Sequence, residues 1–177
     1  VLITDEKEFD VAQILKYLID LKSPVFKRIT FVVSNLQLFK SFMKAEFKDV
    51  PAAGGLVEKH DELLVIKRHG LWDIPKGKIE KGEKTKVAAV REVEEECSVK
   101  VRLGQKIGKT LHFYKMKGKY AFKYTHWYKM KIVCEKDMKP QKKEGIQEVR
   151  WMNHEEVSKM DTYSSITGIL EKYYKAN

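Results

Sequence analysis

The stretch of sequence that decides the fold is residues 77–99, GKIEKGEKTKVAAVREVEEECSV. Its second part, residues 85–97, predicts an α-helix. At about 100° per residue, Glu92, Glu95 and Glu96 share one side of that helix. The opposite side carries apolar residues at helical spacing, namely Val87, Val90, Val93 and Cys97. The helix is therefore predicted to bury its valines and to present an acidic trio, Glu92, Glu95 and Glu96, on the other side.

The acidic trio needs a positive partner, because carboxylates three and four residues apart on a helix repel one another. Arg91 lies one turn before Glu95 and can reach it, but one guanidinium does not neutralise three carboxylates. A hard divalent cation such as Mg²⁺ would do so, since it prefers oxygen ligands. The alternative interpretation is a solvated acidic face on a surface helix, and the helix alone does not decide between the two.

The segment before the helix favours the metal-binding interpretation. Residues 69–84, called the glycine loop below, include Pro75, Lys76, Gly77 and Lys78 and lead directly into the helix. Glycine lets a backbone approach another group closely, and a helix N-terminus attracts anions. Such a loop beside a carboxylate–metal face suits the cleavage of a diphosphate, because the metal neutralises phosphate charge and acidifies a water whose proton a carboxylate accepts.

The spacing of these residues resembles the Nudix box, whose pattern is Gly-x5-Glu-x7-Arg-Glu-U-x-Glu-Glu-x-Gly-U with U a bulky aliphatic residue. Gly77 and Glu83 match its first two fixed positions, and the run from Arg91 to Val99 matches most of the rest. One position differs, because Ser98 stands where the family has Gly, at a helix end where a left-handed residue is expected. The chain is therefore similar to Nudix hydrolases, which cleave a nucleoside diphosphate linked to another group.

The resemblance implies a role for each residue of the box. The acidic trio would bind a divalent cation, Mg²⁺ or Mn²⁺, and Glu92 would serve as a further ligand or as the general base. Glu83 and Arg91 would form a structural or metal-supporting pair within the catalytic site.

The resemblance also implies contributions from outside the helix. The backbone carbonyl of Lys76 is a candidate metal ligand, and Lys76, Gly77 and Lys78 are candidate phosphate-binding residues. Family members often add a later acid from a loop. The candidates here are Glu144, which is preferred, and Glu148, with an ordinary surface glutamate as the alternative for either.

The fold implied by the resemblance is an α/β (α+β) domain in which a mixed β-sheet is sandwiched between helices. We assign this Nudix hydrolase domain to residues 49–177 and a small N-terminal α/β appendage to residues 1–48. Pro51 and Gly54–Gly55 are interpreted as punctuation at the start of the domain.

Hydrophobic patterning predicts the other elements. The appendage is predicted to follow strand–helix–strand–helix order, with Asp5 and Glu8 as a capping box. Asn153 and Glu156 are predicted to cap a later helix. Further predicted elements are strands at residues 1–3, 29–33, 63–66 and 149–152, helices at 11–18, 36–43 and 163–173, and mostly β-structure from 99 to 134, where residues 122–132 alternate as in a strand with two different faces.

The positive charge is concentrated in one segment. The chain has a formal net charge of +10, and ten of its 35 Lys and Arg residues lie in residues 100–134, which contain no Asp or Glu. The remaining basic residues equal the 25 acidic residues in number. This basic segment, residues 100–134, also holds seven aromatic residues, which favours contact with phosphates or nucleic acid. The alternative is a solvated strand face.

Composition narrows the class of protein. Hydrophobic residues make up 43% of the chain, but no apolar run approaches the roughly 20 residues that a membrane helix needs. Cys97 and Cys134 form no pair-spaced motif, which argues against a disulfide scaffold or a cysteine zinc site and indicates a reducing, cytoplasmic compartment. Both cysteines are expected to be buried.

The segment around Pro75-Lys76-Gly77-Lys78 is more similar to dinucleoside-polyphosphate and inositol-pyrophosphate hydrolases and to mRNA-decapping enzymes than to oxidised-nucleotide hydrolases. The favoured function is a Mg²⁺-dependent pyrophosphohydrolase acting on a dinucleoside polyphosphate. The alternatives are an RNA 5′-end pyrophosphohydrolase, with RNA as a partner of the basic segment, and a non-catalytic nucleotide-binding module. A homodimer is also compatible with the sequence, and no membrane partner is expected.

Overall fold

The computed structural model describes residues 2–4, 11–21, 30–32 and 34–175. The chain forms two compact units. One contains Val1–Val50 and His112–Lys123, and the other contains Pro51–Leu111 and Tyr124–Asn177. The domain boundary between residues 48 and 49 stays a prediction.

The first unit has the predicted strand–helix–strand–helix order. Strand β1 (Leu2–Thr4) pairs in parallel with β2 (Thr30–Val32), and helix α1 (Val11–Asp20) lies between them in sequence. Helix α2 (Leu36–Glu46) follows, and the Asn35 side chain caps it by accepting hydrogen bonds from two backbone N–H groups. The predicted capping box at residues 5–8 and the strand ends at 1, 29 and 33 lie outside the described residues.

The main sheet has seven strands in the order β5-β4-β3-β8-β7, with β6 paired to β3 and β9 paired to β4. The predicted helix at residues 85–97 is present with the predicted bounds. The elements are β3 (Lys48–Lys59), β4 (Glu62–Arg68), β5 (Leu71–Asp73), β6 (Lys76–Lys78), α3 (Thr85–Cys97), β7 (Lys100–Met116), β8 (Lys119–Cys134), β9 (Ile146–Asn153), α4 (His154–Lys159) and α5 (Ser164–Lys175).

Helices cover both faces of this sheet, which confirms the predicted sandwich. Along β4, Leu64 and Ile66 pack in a core with the buried residues of α3. Leu63 and Val65 point to the other face and pack with α4 and α5. The prediction that β8 has two different faces is wrong for its middle, which is buried on both sides. Trp127 is fully buried in the core that α4 and α5 cover.

The prediction that the glycine pair punctuates the start of the domain is wrong. Gly54 and Gly55 lie inside the 12-residue strand β3 and do not break it. A Cβ at Gly54 would overlap the backbone of Pro75 and Lys76, and a Cβ at Gly55 would overlap the Met130 side chain. These glycines let the glycine loop and β8 approach the strand closely. Close approach of a neighbouring segment is a known reason for glycine inside a strand.

The predicted faces of α3 are confirmed at Val93 and Cys97, which are fully buried, but need correction at Val87 and Glu96. Val87 is 55% exposed, whereas Glu96 is only 1% exposed and is buried with Ala88 and Ala89. The buried side of the helix thus includes Glu96 together with Val93 and Cys97, whereas Glu95 is exposed. Burial of this carboxylate is tolerated because nearby donors satisfy its oxygens, as a buried charge requires.

The remaining local predictions have mixed outcomes. Asn153 and Glu156 form the predicted capping box at α4. Cys97 is buried as expected, but Cys134, the last residue of β8, is exposed. In the described ranges, none of the helices is long and apolar enough to cross a membrane.

Candidate active site

The glycine loop is attached to the sheet directly in front of α3. Within it, β6 pairs with β3, so that Gly77 lies opposite Ala53 and Lys76 lies opposite Gly54. At the other end of α3, Ser98 adopts φ 53° and ψ 46°, the left-handed conformation expected of the glycine that it replaces. The serine therefore ends the helix at the position that the sequence pattern requires.

Arg91 and Glu83 form the predicted pair. Arg91 Nε donates to Glu83 Oε1 and Arg91 Nη2 donates to Glu83 Oε2, each at 2.8 Å. This two-point contact is the strong form of an arginine–carboxylate interaction. It lowers the pKa of Glu83 to about 2 and connects the end of the glycine loop to the middle of α3.

Arg91 also brings two members of the acidic trio together. Its Nη1 donates to Glu92 at 2.9 Å and to Glu95 at 3.2 Å, while its Nη2 donates to the Lys78 carbonyl at 3.1 Å. Burial raises the pKa of Glu92 against the opposing effect of Arg91, and the charges of Glu95 and Glu144 raise it further. Two carboxylates thus converge on a single cationic atom.

Glu96, the third member of the trio, occupies a different environment. Its Oε1 pairs with Arg68 Nη2, and its Oε2 accepts a hydrogen bond from the Lys76 backbone N–H at 2.8 Å. Burial raises the pKa of Glu96 to about 7, because the loss of hydration outweighs the attraction of Arg68 and Lys76. The bond from Lys76 places the backbone of the glycine loop beside this carboxylate.

Gly77 is the point of closest approach between the loop and the trio. A Cβ at this position would overlap the Glu92 carboxylate. Only glycine leaves that space free, so the first residue of the box allows Glu92 to lie against the loop.

The two lysines of the loop differ in environment. Lys76 Nζ pairs with Asp73, and both side chains are largely buried. The Lys76 cation is therefore already neutralised within the protein, and its predicted contact with phosphate would require this pair to open. Lys78 is exposed, and its ammonium is the more accessible of the two.

The two candidates for a later acid, Glu144 and Glu148, differ in their position relative to the acidic trio. Glu144 ends a short 3₁₀ turn, Lys142–Glu144, and its charge acts on Glu92. Glu148 is exposed on β9 and pairs in register with Lys67. Glu144 is thus the candidate that lies within electrostatic range of the trio.

The carboxylates of the acidic trio are suited to a hard divalent cation, although they do not yet converge on one point. Among the described residues, no three His, Cys, Asp or Glu side chains already converge as a closed metal site. Carboxylate oxygens are nevertheless the ligands that Mg²⁺ prefers, and Glu92 and Glu95 already share one cationic partner. These residues fit a divalent cation if Arg68 leaves Glu96 and the Nη1 group of Arg91 yields its place beside Glu92 and Glu95, while the contacts of Arg91 with Glu83 remain.

Sequence reasoning missed Arg68 and Asp73. Arg68 ends β4, twenty-eight residues before Glu96, and the spacing of the box contains no signal for it. Asp73 lies within the quoted loop, but its pairing with Lys76 depends on how β5 and β6 are placed by the sheet.

Comparison with known proteins decides the family. A family model described as the NUDIX domain matches residues 48–172, which is most of the chain. The chain belongs to the Nudix family. Nudix domains occur in hydrolases that act on phosphoric anhydride bonds, and Nudix enzymes generally use divalent metal ions.

Solved Nudix structures share the fold. The chain is similar to a Caenorhabditis elegans Ap4A hydrolase in a binary complex, with 24% identity, a TM-score of 0.57, and coverage of 72% of this chain and 96% of the other. It is also similar to a MutT protein from Methanosarcina mazei Go1, with 20% identity, a TM-score of 0.61, and coverage of 75% and 97%. At these identities the likeness concerns the Nudix fold alone.

One curated relative is more similar over a shorter stretch. A Bacillus subtilis (strain 168) protein named "Putative 8-oxo-dGTP diphosphatase" is 38% identical over 55 residues, which is 30% of this chain and 37% of that protein. The alignment therefore spans a little over a third of the relative's length.

Proposed function

We propose that this Nudix protein is a Mg²⁺- or Mn²⁺-dependent pyrophosphohydrolase that cleaves a nucleoside diphosphate linked to another group, with a dinucleoside polyphosphate as substrate. The observation that carries the proposal is the position of the acidic trio. Glu92 and Glu95 converge on one cationic atom, and Glu96 lies against the backbone of the glycine loop. Oxygen ligands thus border a loop that can accept phosphates.

Each member of the site has a role that follows from its environment. Glu92, Glu95 and Glu96 would hold the cation, with the Lys76 carbonyl and Glu144 as candidate additional ligands. A bound divalent cation would neutralise phosphate charge and make the attacking water more acidic. Burial raises the pKa of Glu92, and a carboxylate with a raised pKa is the better proton acceptor.

Arg91 and Glu83 would position the trio without touching substrate. The two-point contact between them fixes the guanidinium, and the guanidinium in turn orients Glu92 and Glu95. This arrangement resembles the outer contacts that orient metal ligands in other proteins.

The proposal of a polyphosphate substrate rests on the glycine loop. Exposed Lys78 follows Gly77 and provides a cation for a long phosphate chain. A protein of the same fold is named an Ap4A hydrolase, and this adds modest support. The relative named for 8-oxo-dGTP is the main competing indication, and it covers only a short stretch.

A turnover screen with Mg²⁺ tests the proposal. Diadenosine polyphosphates, ADP-ribose, dGTP, 8-oxo-dGTP, inositol pyrophosphates and 5′-triphosphorylated RNA would be compared at equal concentration, with products separated by chromatography. We expect the highest kcat/KM for a diadenosine polyphosphate. A preference for 8-oxo-dGTP or for the RNA end would replace the proposed substrate, and no turnover of any compound would overturn the proposed reaction.

Lys78 is predicted to sense the length of the phosphate chain. Replacing Lys78 by Ala should raise KM for diadenosine tetraphosphate about fivefold, the upper range for an exposed ionic contact, and should change KM for ADP-ribose less. Steady-state kinetics on both substrates would measure this. The matched control is Lys81→Ala, which removes another exposed lysine of the same loop, and an equal effect of Lys78→Ala on both substrates would refute the role.

Gly77 is predicted to be required for the position of Glu92. Replacing Gly77 by Ala should lower Mg²⁺ affinity and kcat/KM between about 10-fold and about 100-fold, the usual range for a disturbed ligand environment. The Glu92 side chain can swing away from the new methyl group, so the fold should survive. Calorimetry of Mg²⁺ binding and circular dichroism would measure the two effects.

The control for Gly77→Ala is Gly168→Ala on α5. A Cβ at Gly168 meets no atom within 4 Å, so this variant should bind Mg²⁺ like the wild type. Unchanged Mg²⁺ affinity in Gly77→Ala would show that the loop does not depend on glycine at this point.

A further inference from the structure

Arg68 is the cation that accompanies Glu96, and it lies outside the Nudix box. It ends β4, and its side chain is 17% exposed. Its Nη2 pairs with Glu96 Oε1. Its Nε is buried without a hydrogen-bond partner, one of two such side-chain atoms in the described part of the chain. A buried donor of this kind usually has a partner, and no group among the described residues supplies one to the Arg68 Nε in this arrangement.

The two arginines of the site are held in different ways. Arg91 uses both Nε and Nη2 on Glu83, at 2.8 Å each, and adds Glu92, Glu95 and the Lys78 carbonyl. Arg68 has one contact, to one oxygen of Glu96. Because charge-assisted contacts add up when they are made in parallel, Arg91 is fixed and Arg68 is the guanidinium that can be exchanged.

Each oxygen of Glu96 already faces a hydrogen-bond donor in this arrangement. The Lys76 N–H occupies Oε2 and Arg68 occupies Oε1. A divalent cation could bind Oε1 only if the guanidinium left, because two cations on one buried oxygen repel strongly where the dielectric constant is low.

We propose that Arg68 is an internal counter-ion of Glu96 that the divalent cation displaces, and that the released guanidinium then binds a phosphate of the substrate. The inference rests on the proposed metal-dependent function of the same site. In the metal-free protein Arg68 compensates the buried carboxylate. In the loaded protein the cation takes over that role, and the planar guanidinium is free for a phosphate, which it recognises well. Arg68 is thus a positioning residue before metal binding and a substrate-binding residue after it.

The experiment observes the arginine side chains directly. The ¹⁵N–¹H signals of the arginine Nε–H groups would be recorded on the full chain without metal and at saturating MgCl₂, with Arg68→Lys used to assign the Arg68 signal. We expect a solvent-protected Arg68 signal without metal and its shift or loss on adding Mg²⁺. The Arg91 signal should persist in both states, because its Nε–H stays on Glu83, and it serves as the internal control.

A second step tests where the guanidinium goes. Methylenediphosphonate, a diphosphate analogue that is not hydrolysed, would be added to the Mg²⁺-loaded protein. We expect the Arg68 Nε–H signal to return at a new position, as the guanidinium binds the analogue. A signal that stays in its Mg²⁺-loaded state would refute the phosphate contact.

The outcomes separate this inference from the proposed function. If the backbone signals of α3 shift with Mg²⁺ while the Arg68 signal does not, the metal binds without displacing Arg68 and the inference is wrong. If no signal of α3 shifts, the proposed metal site itself is wrong. A missing or solvent-exchanged Arg68 signal in the metal-free protein would also count against the inference, because a buried Nε–H should be protected.

Discussion

Replacing Glu96 by Gln is expected to lower kcat by about 100-fold or more while the fold stays intact. The change removes one charge and keeps the shape of the side chain. The amide is a poor ligand for a divalent cation compared with the carboxylate. Because Glu96 is buried and its hydration loss outweighs its ionic contacts, a neutral side chain should be tolerated there. Steady-state turnover with Mg²⁺ would measure the loss of kcat, and circular dichroism would show whether the fold is intact.

The matched control for this substitution is Glu94→Gln. Glu94 lies on the same helix, and Glu94→Gln removes the same single negative charge as Glu96→Gln. The Glu94 carboxylate accepts hydrogen bonds from Lys100 and from the Val101 N–H and, within the described ranges, none from the glycine loop. Its turnover should remain near that of the wild type. Near-wild-type turnover in Glu96→Gln would remove Glu96 from the catalytic site, and equal losses in both variants would point to a general effect of helix charge.

The sequence predicts well those features that depend on local spacing. The bounds of α3 follow from helical periodicity, and the pair of Arg91 with Glu83 follows from the Nudix pattern. The Nudix pattern expects a left-handed glycine at the helix end, and Ser98 adopts that conformation although its residue type does not by itself indicate it. In each case the partners lie within a few turns of chain, so that spacing along the sequence nearly determines distance in space.

Features that depend on contacts between distant segments are not predicted. Gly54 and Gly55 look like turn residues in the sequence, but they serve the close approach of the loop and of β8. Val87 is exposed because the buried side of α3 is rotated away from it, towards Ala88 and Ala89. The partner of Glu96 is Arg68, which no local pattern connects to it. Helical periodicity identifies the approximate sides of a helix, whereas packing on the sheet determines how the buried side is rotated about the helix axis.

The raised pKa of Glu96 has a consequence for stability. Its pKa rises from 4.5 to about 7 in the folded protein, so the folded state holds a proton that the unfolded state has lost between these two values. The contribution of Glu96 to stability is complete below pH 4.5 and is lost as the pH rises through 7. His126 acts in the opposite sense. Burial, together with Lys106 and Lys109, lowers its pKa from 6.5 to about 4, so its contribution is lost as the pH falls through that range.

Because these two effects oppose one another, the wild type alone does not isolate the contribution of Glu96, and the difference from Glu96→Gln is the informative quantity. The metal-free wild type is expected to lose about 3 kcal/mol relative to Glu96→Gln between pH 4.5 and pH 8.5, since one pKa unit corresponds to about 1.4 kcal/mol. His126 and Glu83 are present in both proteins, so their titrations cancel in the difference. Urea unfolding in the presence of a chelator, across that pH range, would measure it.

Saturating Mg²⁺ should reverse the sign of this difference. The cation binds the carboxylate form, so metal binding releases the Glu96 proton and stabilises the folded wild type more strongly as the pH rises. Glu96→Gln lacks that carboxylate and should gain little from Mg²⁺ at any pH. A wild type that stays less stable than the variant at pH 8.5 with saturating Mg²⁺ would mean that no cation reaches Glu96. The buried carboxylate would then belong to the Arg68 pair alone, and the metal would have to be held by Glu92, Glu95 and Glu144.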